Sequence, residues 1–295
     1  MNSDFLFQTY TLHRSQDALH MKKLLAGFSD QEHLLEHVFW NNVVIAPDGK
    51  LKTLYTELPA QKKFNALSFT PCGKVPQIER SGNFLRLQVT SHRILNLAAF
   101  DNEEAFFSAL SQKNRKKLRW LRNTMPKMGC KIVPLEDENG FKMFEKLYCA
   151  QFPKYTPGCP ANRAVWKIFQ ELIRQQRSFS FILLSEKDEP ISAALGFFDG
   201  KSYNYTHLTR SRGEYDKYSP GYYLTYCIIM RILGEHPEIE YFFMGPGEYD
   251  YKQALLGEPF AIYRYERRSL RNIFAILRMY FRCRKEQKKF CSSQK

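Results

Sequence analysis

The 295-residue sequence lacks a run of about 18 apolar residues, the minimum for a helix that spans a bilayer. Residues 1–7 also lack the basic leader and the apolar core of a signal peptide, so the expected compartment is the cytoplasm. No Cys-x-x-Cys pair occurs, and the seven cysteines are scattered and odd in number. Neither a disulfide framework nor a zinc knuckle is therefore indicated.

Acidic residues are missing from residues 113–131, which contain eight basic residues. They are scarce in residues 264–295, which contain eleven basic and two acidic residues. The summed net charge of these two segments is larger than the net charge of the whole chain, +14, so the rest of the chain is slightly acidic. A helix whose cations have no acidic neighbours lacks the ion pairs that usually stabilise an exposed helix. The excess of cations in each segment therefore needs its own explanation.

Residues 1–100 have the least regular pattern of the chain. Short apolar runs at 42–45, 52–55 and 84–89 are separated by Pro, Gly and Asn, which predicts strands joined by turns. We therefore expect a small N-terminal α/β region.

One short motif in this region matches a metal site. His33, Glu36 and His37 follow the H-x-x-E-H pattern of inverted zinc peptidases, with both histidines on one helical face. No matching acidic ligand follows in a helical context, and an amphipathic helix explains the same residues. We therefore predict no metal site.

From Asp101 onward the pattern predicts a regular order of elements. Asn102 or Asp101 can cap a first helix, whose apolar residues recur at helical spacing as far as Pro126. The elements that follow are a short strand, two helices, three antiparallel strands, a helix, a strand, a short helix and a last strand. In order, they are predicted at 130–135, 138–151, 161–176, 178–185, 191–198, 202–209, 219–233, 239–244, 249–256 and 260–267.

Three motifs in this region occur in the order of a known family. The basic helix at 113–119 is followed by Gly129, and the turn at 219–221 opens an apolar helix. The third motif, at 245–252, is a glycine turn with an acidic residue and a Tyr-Lys pair. Together they resemble the GNAT superfamily of acyltransferases, and more narrowly its CelD/BcsL-like branch, which is related to the Fem transferases.

The resemblance covers residues 101–267 and implies an α/β domain of the GNAT fold, in which a mixed, mostly antiparallel sheet is flanked by helices. It implies that acyl-CoA is the donor co-substrate and that residues 1–100 form a degenerate GNAT half. Residues 268–295 follow as a basic amphipathic helix and tail. One departure concerns catalysis, because the branch often has an aspartate where this chain has Phe242 or Phe243.

The turn at 217–221 is the predicted donor site. Gly221 allows the backbone to approach a phosphate closely, and the first N–H groups of a helix suit an anion. Lys217 can add a charge, and Ser219 a hydroxyl donor. The alternative is an ordinary helix start, with Pro220 at its first position. The predicted donor-binding residues are Lys217, Ser219, Pro220, Gly221, Tyr222 and Lys252.

Acyl transfer needs a base for the attacking group and a donor for the developing oxyanion. His207, at the end of the third antiparallel strand, is placed to be the base, or is a structural histidine. Glu248 is the other candidate base, or a cap of the next helix. Tyr251 is a candidate acid for the departing thiolate, or a packing residue, while Lys252 is a charge stabiliser or phosphate contact.

Two basic surfaces complete the candidate sites. Arg115, Arg119 and Arg122 are predicted to bind phosphates of the donor, of a lipid-linked sugar or of RNA, the alternative being a solvated helix face. Residues 268–295 combine apolar side chains at helical spacing with many cations. That composition suits an anionic membrane surface, or a final helix docked on the sheet with a basic tail.

The sequence thus predicts an acyl-CoA-dependent N- or O-acyltransferase whose acceptor is an envelope glycan, a lipid-linked precursor or an amino sugar. One alternative is a Fem-like transferase that uses aminoacyl-tRNA, which gives the basic helix an RNA to hold. Another is a non-catalytic membrane-associated protein with a decayed GNAT fold, of the antimicrobial-peptide resistance type. The expected location is the cytoplasm, and the alternative is peripheral binding to the inner face of the membrane.

Overall fold

The computed structural model describes residues 42–45, 51–52, 63–71, 78–81, 84–153, 156–159, 166–199 with gaps at 168, 171 and 175, 201–246, 249–268, 270 and 273–293. The motif at 33–37 and the candidate base Glu248 lie outside these residues, as does most of the strand predicted at 52–55. Within the described ranges, no helix is both long and apolar enough to cross a membrane.

The described strands form one mixed sheet of eleven strands. Their bounds are β1 Asn42–Ile45, β2 Leu51–Lys52, β3 Lys63–Pro71, β4 Ile78–Ser81, β5 Phe84–Asn96, β6 Lys131–Pro134, β7 Phe181–Leu184, β8 Pro190–Asp199, β9 Ser202–Arg210, β10 Tyr241–Pro246 and β11 Glu258–Arg267. The order is β2-β1-β3-β11-β5-β10-β9-β8-β7-β6, with β4 also paired to β5. Only β1 with β3 and β9 with β10 are parallel among the described pairs, which confirms the predicted mixed, mostly antiparallel sheet.

Strands from the N-terminal hundred residues and from the following region share this sheet. β5 pairs antiparallel with β10 along one edge and with β11 along the other. It also extends to Asn96, seven residues beyond the predicted end of the strand. Its position between two later strands depends on pairing between distant residues, which no local sequence pattern specifies.

The helices flank the sheet. Their bounds are α1 Glu103–Ala109, α2 Gln112–Lys127, α3 Glu138–Gln151, α4 Pro220–Glu235, α5 Asp250–Ala254 and α6 Ile273–Ser293. The sequence pattern predicts one helix up to Pro126, but the structure divides it. Leu110 is extended, and the Ser111 side chain accepts a hydrogen bond from the N–H of Asn114, so that Ser111 caps a second helix.

The apolar core has two layers, one on each face of the sheet, because side chains along a strand point alternately to the two faces. All four residues of β7 are buried, with Phe181 and Leu183 in one apolar cluster and Ile182 and Leu184 in the other. The first cluster includes residues of α1, α2 and α4, and the second includes residues of α3. Because successive strand residues point to opposite faces, β7 is covered by helices on both sides.

β9, α4 and β10 form a β-α-β unit that positions the candidate site. The described parallel ladder ends at Asn204 of β9 and Phe243 of β10. β9 continues to Arg210 and β10 to Pro246, so both strands extend past their shared ladder. Ligands of such units bind at the carboxyl ends of the parallel strands, which is where α4 begins.

Candidate active site

A cleft of about 670 Å³ lies where β9 and β10 extend past their shared ladder. α3, β9, α4, β10 and α5 all contribute to its walls. Its lining includes Tyr148, Gln151, Tyr205, Thr206, His207, Ser219, Gly221, Tyr222, Gly245, Tyr249, Tyr251 and Lys252. The structure therefore brings six of the predicted site residues from three elements, β9, α4 with its cap and α5, into one cleft: His207, Ser219, Gly221, Tyr222, Tyr251 and Lys252.

The first turn of α4 forms one wall of the cleft. Ser219 precedes the turn in the left-handed region, at φ 49° and ψ 59°, and its side chain makes no capping hydrogen bond. Pro220 occupies the start of the helix, and a Cβ added to Gly221 would lie 3.1 Å from Leu208. The first N–H groups of a helix have no intrahelical acceptor, and the helix dipole makes this end positive. The turn is therefore suited to an anion.

Lys117 of α2 reaches this turn and was not among the predicted site residues. Its Nζ donates a hydrogen bond to Ser219 Oγ at 2.9 Å and lies 5.0 Å from the ring centroid of Tyr222. Partial burial, and next the neighbouring Lys113, lowers the pKa of Lys117. No carboxylate of the described residues pairs with it. A cation beside the positive end of a helix is destabilised until an anion binds there.

The hydroxyl of Tyr222 is the second unusual group at this turn. Tyr222 is 7% exposed, and its hydroxyl oxygen is buried without a hydrogen-bond partner among the described residues. Burial, and next Tyr226, raises the pKa of Tyr222 to about 12, so the hydroxyl keeps its proton at neutral pH. A buried hydroxyl without a partner costs about 1–3 kcal/mol, which a ligand acceptor would recover.

Two of the predicted cations are engaged elsewhere. Arg115 donates to the carbonyl oxygens of Ser108, at 2.8 Å, and Leu110, and so joins α2 to the end of α1. The Nζ of Lys217 lies 4.9 Å from the ring centroid of Tyr218. Neither side chain is among the described residues that line the cleft.

The other two predicted arginines pack on helices. The Arg119 guanidinium lies 5.2 Å from the ring centroid of Phe107. Arg122 donates to the hydroxyl of Tyr226 at 3.5 Å. These contacts place both arginines between α2 and its neighbouring helices, outside the described lining of the cleft.

A β-bulge in β9 determines the direction of His207. The pairing of β9 with β8 shifts between Tyr205 and His207, so that Thr206 is an extra residue in the strand. Regular alternation would place His207 on the face of Tyr205, whose hydroxyl bonds to α4. Instead, the His207 ring packs edge-on against Phe144 and Tyr148 of α3, at centroid distances of 6.0 and 5.6 Å.

The hydrogen bonds of Thr206 assign the tautomer of His207. The Thr206 hydroxyl donates its single hydrogen to the carbonyl oxygen of Leu195 at 2.9 Å. The same oxygen lies 3.1 Å from His207 Nδ1, so it must accept a hydrogen from Nδ1. The neutral imidazole therefore carries its proton on Nδ1 and its lone pair on Nε2, which makes Nε2 the basic atom.

Two tyrosines that line the cleft differ in what their hydroxyls can do. The Thr225 hydroxyl donates to the carbonyl oxygen of Gly221 at 2.7 Å, so the Tyr205 hydroxyl donates to Thr225, 2.8 Å away. Burial, and next Tyr249, raises the pKa of Tyr251, which keeps that phenol protonated. Because the proton of Tyr205 is already used, Tyr251 is the better proton donor of the two.

Lys252 organises the glycine turn at the end of β10. It is 2% exposed, its Nζ donates to the carbonyl oxygen of Gly245 at 2.8 Å, and it lies 5.1 Å from the ring centroid of Tyr249. Gly245 has φ +78°, a conformation that L side chains rarely adopt. The buried ammonium thus lies at the cleft and orients a backbone carbonyl there.

A buried histidine lies behind this turn. His92 of β5 is fully buried, and neither ring nitrogen has a hydrogen-bond partner among the described residues. Burial, and next the charge of Lys252, lowers the pKa of His92 to about 3. Phe243 packs against its ring at a centroid distance of 5.6 Å, so His92 is neutral and held in an apolar environment.

The positions where the branch often has an aspartate are part of the apolar core. Phe242 is fully buried against Tyr203 and Tyr205, and Phe243 is 2% exposed. Neither offers a polar group. Within the described ranges, no three His, Cys, Asp or Glu side chains are grouped to hold a metal ion.

The solved structures that are similar to this chain share little sequence identity with it. No curated protein matches the sequence. Among solved structures, L-PGS from Bacillus licheniformis is 12% identical, with 76% of this chain and 73% of that chain covered and a TM-score of 0.45. FemX is 13% identical, with 71% and 67% covered and a TM-score of 0.48.

A third solved structure is the C-terminal domain of a putative lysylphosphatidylglycerol synthetase from Agrobacterium fabrum. It is 11% identical, with 66% of this chain and 65% of that chain covered and a TM-score of 0.45. The family model described as an acetyltransferase (GNAT) domain matches residues 111–253, which include α2, β9, α4 and β10. This match confirms the resemblance to the GNAT superfamily that the three sequence motifs carry.

Proposed function

We propose that the protein is an acyl-CoA-dependent N- or O-acyltransferase and that the cleft holds its acyl donor. The observation that carries the proposal is the contact of Lys117 with Ser219 and Tyr222 at the first turn of α4. Ser219 and Tyr222 line the cleft that also contains His207. This grouping combines a site for a phosphate-bearing donor with a base for the acceptor.

In this proposal, the donor phosphates bind at the start of α4. An anion there neutralises Lys117, accepts from the first N–H groups of the helix and gives the Tyr222 hydroxyl an acceptor. Without a ligand, each of these groups lacks an anion or a hydrogen-bond acceptor at this turn. Binding of an anion therefore lowers the free energy of all three. The rest of the donor lies along β9, in the part of the cleft that contains His207.

The chemistry follows from the protonation states. His207 Nε2 accepts the proton of an attacking amine or hydroxyl, which forms a bond to the thioester carbonyl carbon. The oxyanion then collapses, the carbon–sulfur bond breaks, and the departing thiolate takes a proton from Tyr251. The products are the acylated acceptor and the thiol, and the His207 proton returns to Tyr251 through solvent.

We propose an envelope glycan, a lipid-linked precursor or an amino sugar as the acceptor. The cleft carries the aromatic side chains Tyr148 and Tyr249 beside the polar Gln151. Such a mixture of aromatic faces and a few polar groups suits a sugar ring better than a purely apolar substrate.

Calorimetry on the full chain tests the donor. We expect coenzyme A and acetyl-CoA to bind, and pantetheine, which lacks the phosphates, to bind much more weakly. Release of free thiol from acetyl-CoA in the presence of glucosamine then tests the transfer. A folded sample that binds no acyl-CoA of any chain length would refute the proposal.

A second candidate is a Fem-like transferase that uses aminoacyl-tRNA. The exposed cations of α2, which include Lys113, Lys116 and Lys127, favour it because no acidic residue interrupts the helix. Binding of tRNA with an affinity that falls steeply with salt, together with failure to bind coenzyme A, would support this candidate over the first.

A third candidate is a non-catalytic protein with a decayed GNAT fold, for which Lys252 and the α4 turn are only structural. The buried Phe242 and Phe243 favour it, because they remove the carboxylate that relatives often have in this strand. Detection of any acyl transfer that is lost in His207→Gln would exclude it.

A further inference from the structure

The C-terminal helix α6 has one face docked on the sheet. Met279 and Cys283 are 4% and 5% exposed, and they form an apolar cluster with Leu87 of β5. Ile78 and Leu85 pack against that cluster. α6 is thus held on the protein by side chains one turn apart on a single face.

The opposite face of α6 exposes large apolar side chains. Phe274 is 82% exposed, Leu277 46% and Phe281 70%, and Leu270 just before the helix is 87% exposed. In a helix, residues at i, i+3 and i+7 lie on one side, so Phe274, Leu277 and Phe281 form a continuous stripe. A stripe of this size facing water is typical of an interaction surface.

Cations lie beside this stripe. Arg278 and Lys285 follow Phe274 and Phe281 by four residues each, and Arg284 lies one turn beyond Tyr280. All three cations are exposed, and none pairs with a carboxylate of the described residues. The only acidic residue in the sequence of α6 is Glu286.

We propose that α6 lies in the headgroup region of an anionic lipid bilayer, with Phe274, Leu277 and Phe281 inserted among the acyl chains and Arg278, Arg284 and Lys285 against lipid phosphates. Charge complementarity selects this occupant. An apolar protein partner would cover the stripe but leave three cations unmatched, whereas an anionic bilayer satisfies both features. This inference is independent of the donor cleft and of whether transfer occurs.

Co-sedimentation of the full chain with vesicles tests the proposal. We expect binding to phosphatidylcholine vesicles that contain about 30% phosphatidylglycerol, and little binding to pure phosphatidylcholine. The Phe274→Ala, Phe281→Ala variant should bind anionic vesicles at least about ten-fold more weakly than the unmodified chain. The Arg278→Glu, Lys285→Glu variant should lose the preference for anionic lipid.

The matched control is Lys146→Glu, Lys187→Glu, which makes the same charge change on exposed residues at another part of the surface. It should bind vesicles as the unmodified chain does. Circular dichroism checks that each variant is folded, and calorimetry with coenzyme A reports the cleft separately.

Three results would overturn the proposal. The first is absence of binding to anionic vesicles by the folded chain, and the second is equal binding by all variants. The third is a dimer in solution that does not bind vesicles and that becomes a monomer in the Phe274→Ala, Phe281→Ala variant, because the stripe would then face a second copy.

Discussion

The Nζ of Lys117 lies 2.9 Å from the hydroxyl oxygen of Ser219, which joins the basic helix α2 to the start of α4. Ser219 is in the left-handed region, which costs a non-glycine residue about 1 kcal/mol or more. Lys117 adds a partly buried charge to the positive end of a helix. An anion at this end of α4 would neutralise that charge, so the position of Lys117 indicates ligand binding more directly than the glycine-containing turn alone.

Replacement of this ammonium should weaken donor binding. We expect Lys117→Gln to lower the affinity for coenzyme A about ten-fold, as for loss of one charge-assisted hydrogen bond. Binding of pantetheine should be unchanged, because it has no phosphate for Lys117 to contact. Calorimetry with both ligands separates the two effects.

The control for this prediction is Lys116→Gln, which removes an exposed cation from the next position of the same helix. It should leave the affinity for coenzyme A nearly unchanged. Equal losses in the two variants would show that only the general charge of α2 matters, and Lys117 would then have no specific role.

The Tyr222 hydroxyl provides a test with opposite effects on stability and binding. Tyr222→Phe removes a buried hydroxyl without a described partner, so we expect the free energy of unfolding to rise by about 1 kcal/mol. The same change should weaken coenzyme A binding, because the ligand loses a donor. Urea unfolding and calorimetry measure the two effects.

Tyr226→Phe is the matched control on the same helix. The Tyr226 hydroxyl accepts from Arg122, so its removal should not stabilise the protein and should leave ligand binding unchanged. If Tyr222→Phe instead lowered the free energy of unfolding, the hydroxyl would have a hydrogen-bond partner within the protein. It would then not be available to a ligand.

His207 should act on the rate and not on donor binding. We expect His207→Gln to lower kcat by about 10²–10⁴, the range for loss of a general base, with coenzyme A affinity retained. The acid limb of the pH–rate profile should disappear in this variant. A loss of affinity without a loss of kcat would assign His207 to packing against Phe144 and Tyr148.

Thr206→Val tests the tautomer assigned to His207. It removes the acceptor of the Nδ1 hydrogen and leaves the imidazole in place. We expect a smaller fall in kcat than in His207→Gln, with the pH of the acid limb displaced. An unchanged pH–rate profile would contradict the tautomer assignment.

Much of the domain was predictable because its signals are local. β9 and α4 differ from their predicted bounds by one or two residues, since short turns and a proline at the helix start mark their ends. The break between α1 and α2 was missed, although Ser111 is a common capping residue, because apolar spacing continues across it.

The candidate site was only partly predictable, because its remaining features depend on tertiary contacts. Lys117 stands among eight basic residues of 113–131, and only the packing of α2 on α4 separates it from Arg115. The bulge at Thr206 leaves no pattern in the sequence, yet it moves His207 to the other face of β9. A bulge depends on the register of the neighbouring strand, which is not a local property.

The buried His92 predicts a pH dependence of stability. Its pKa is about 3 in the folded protein and near 6.5 when unfolded, so the unfolded chain binds more protons between these values. This contribution is therefore fully present above pH 6.5 and is lost as the pH falls below it. We expect a loss of roughly 1 kcal/mol between pH 7.5 and 5.5.

Urea unfolding of the wild type and His92→Leu over this pH range measures the effect. His92→Leu replaces the imidazole by an apolar side chain of similar size, and this part of the pH dependence should disappear. The same slope in both proteins would mean that His92 is protonated in the folded state.

Native mass spectrometry of the purified protein tests the identity of the donor most directly. We expect a non-covalent complex with coenzyme A or an acyl-CoA, either copurified or formed on addition of acetyl-CoA, which is diminished in Lys117→Gln and retained in Lys116→Gln. The acyl mass would also identify the transferred group. A folded protein that forms no such complex after addition of acetyl-CoA would contradict the assignment of the cleft.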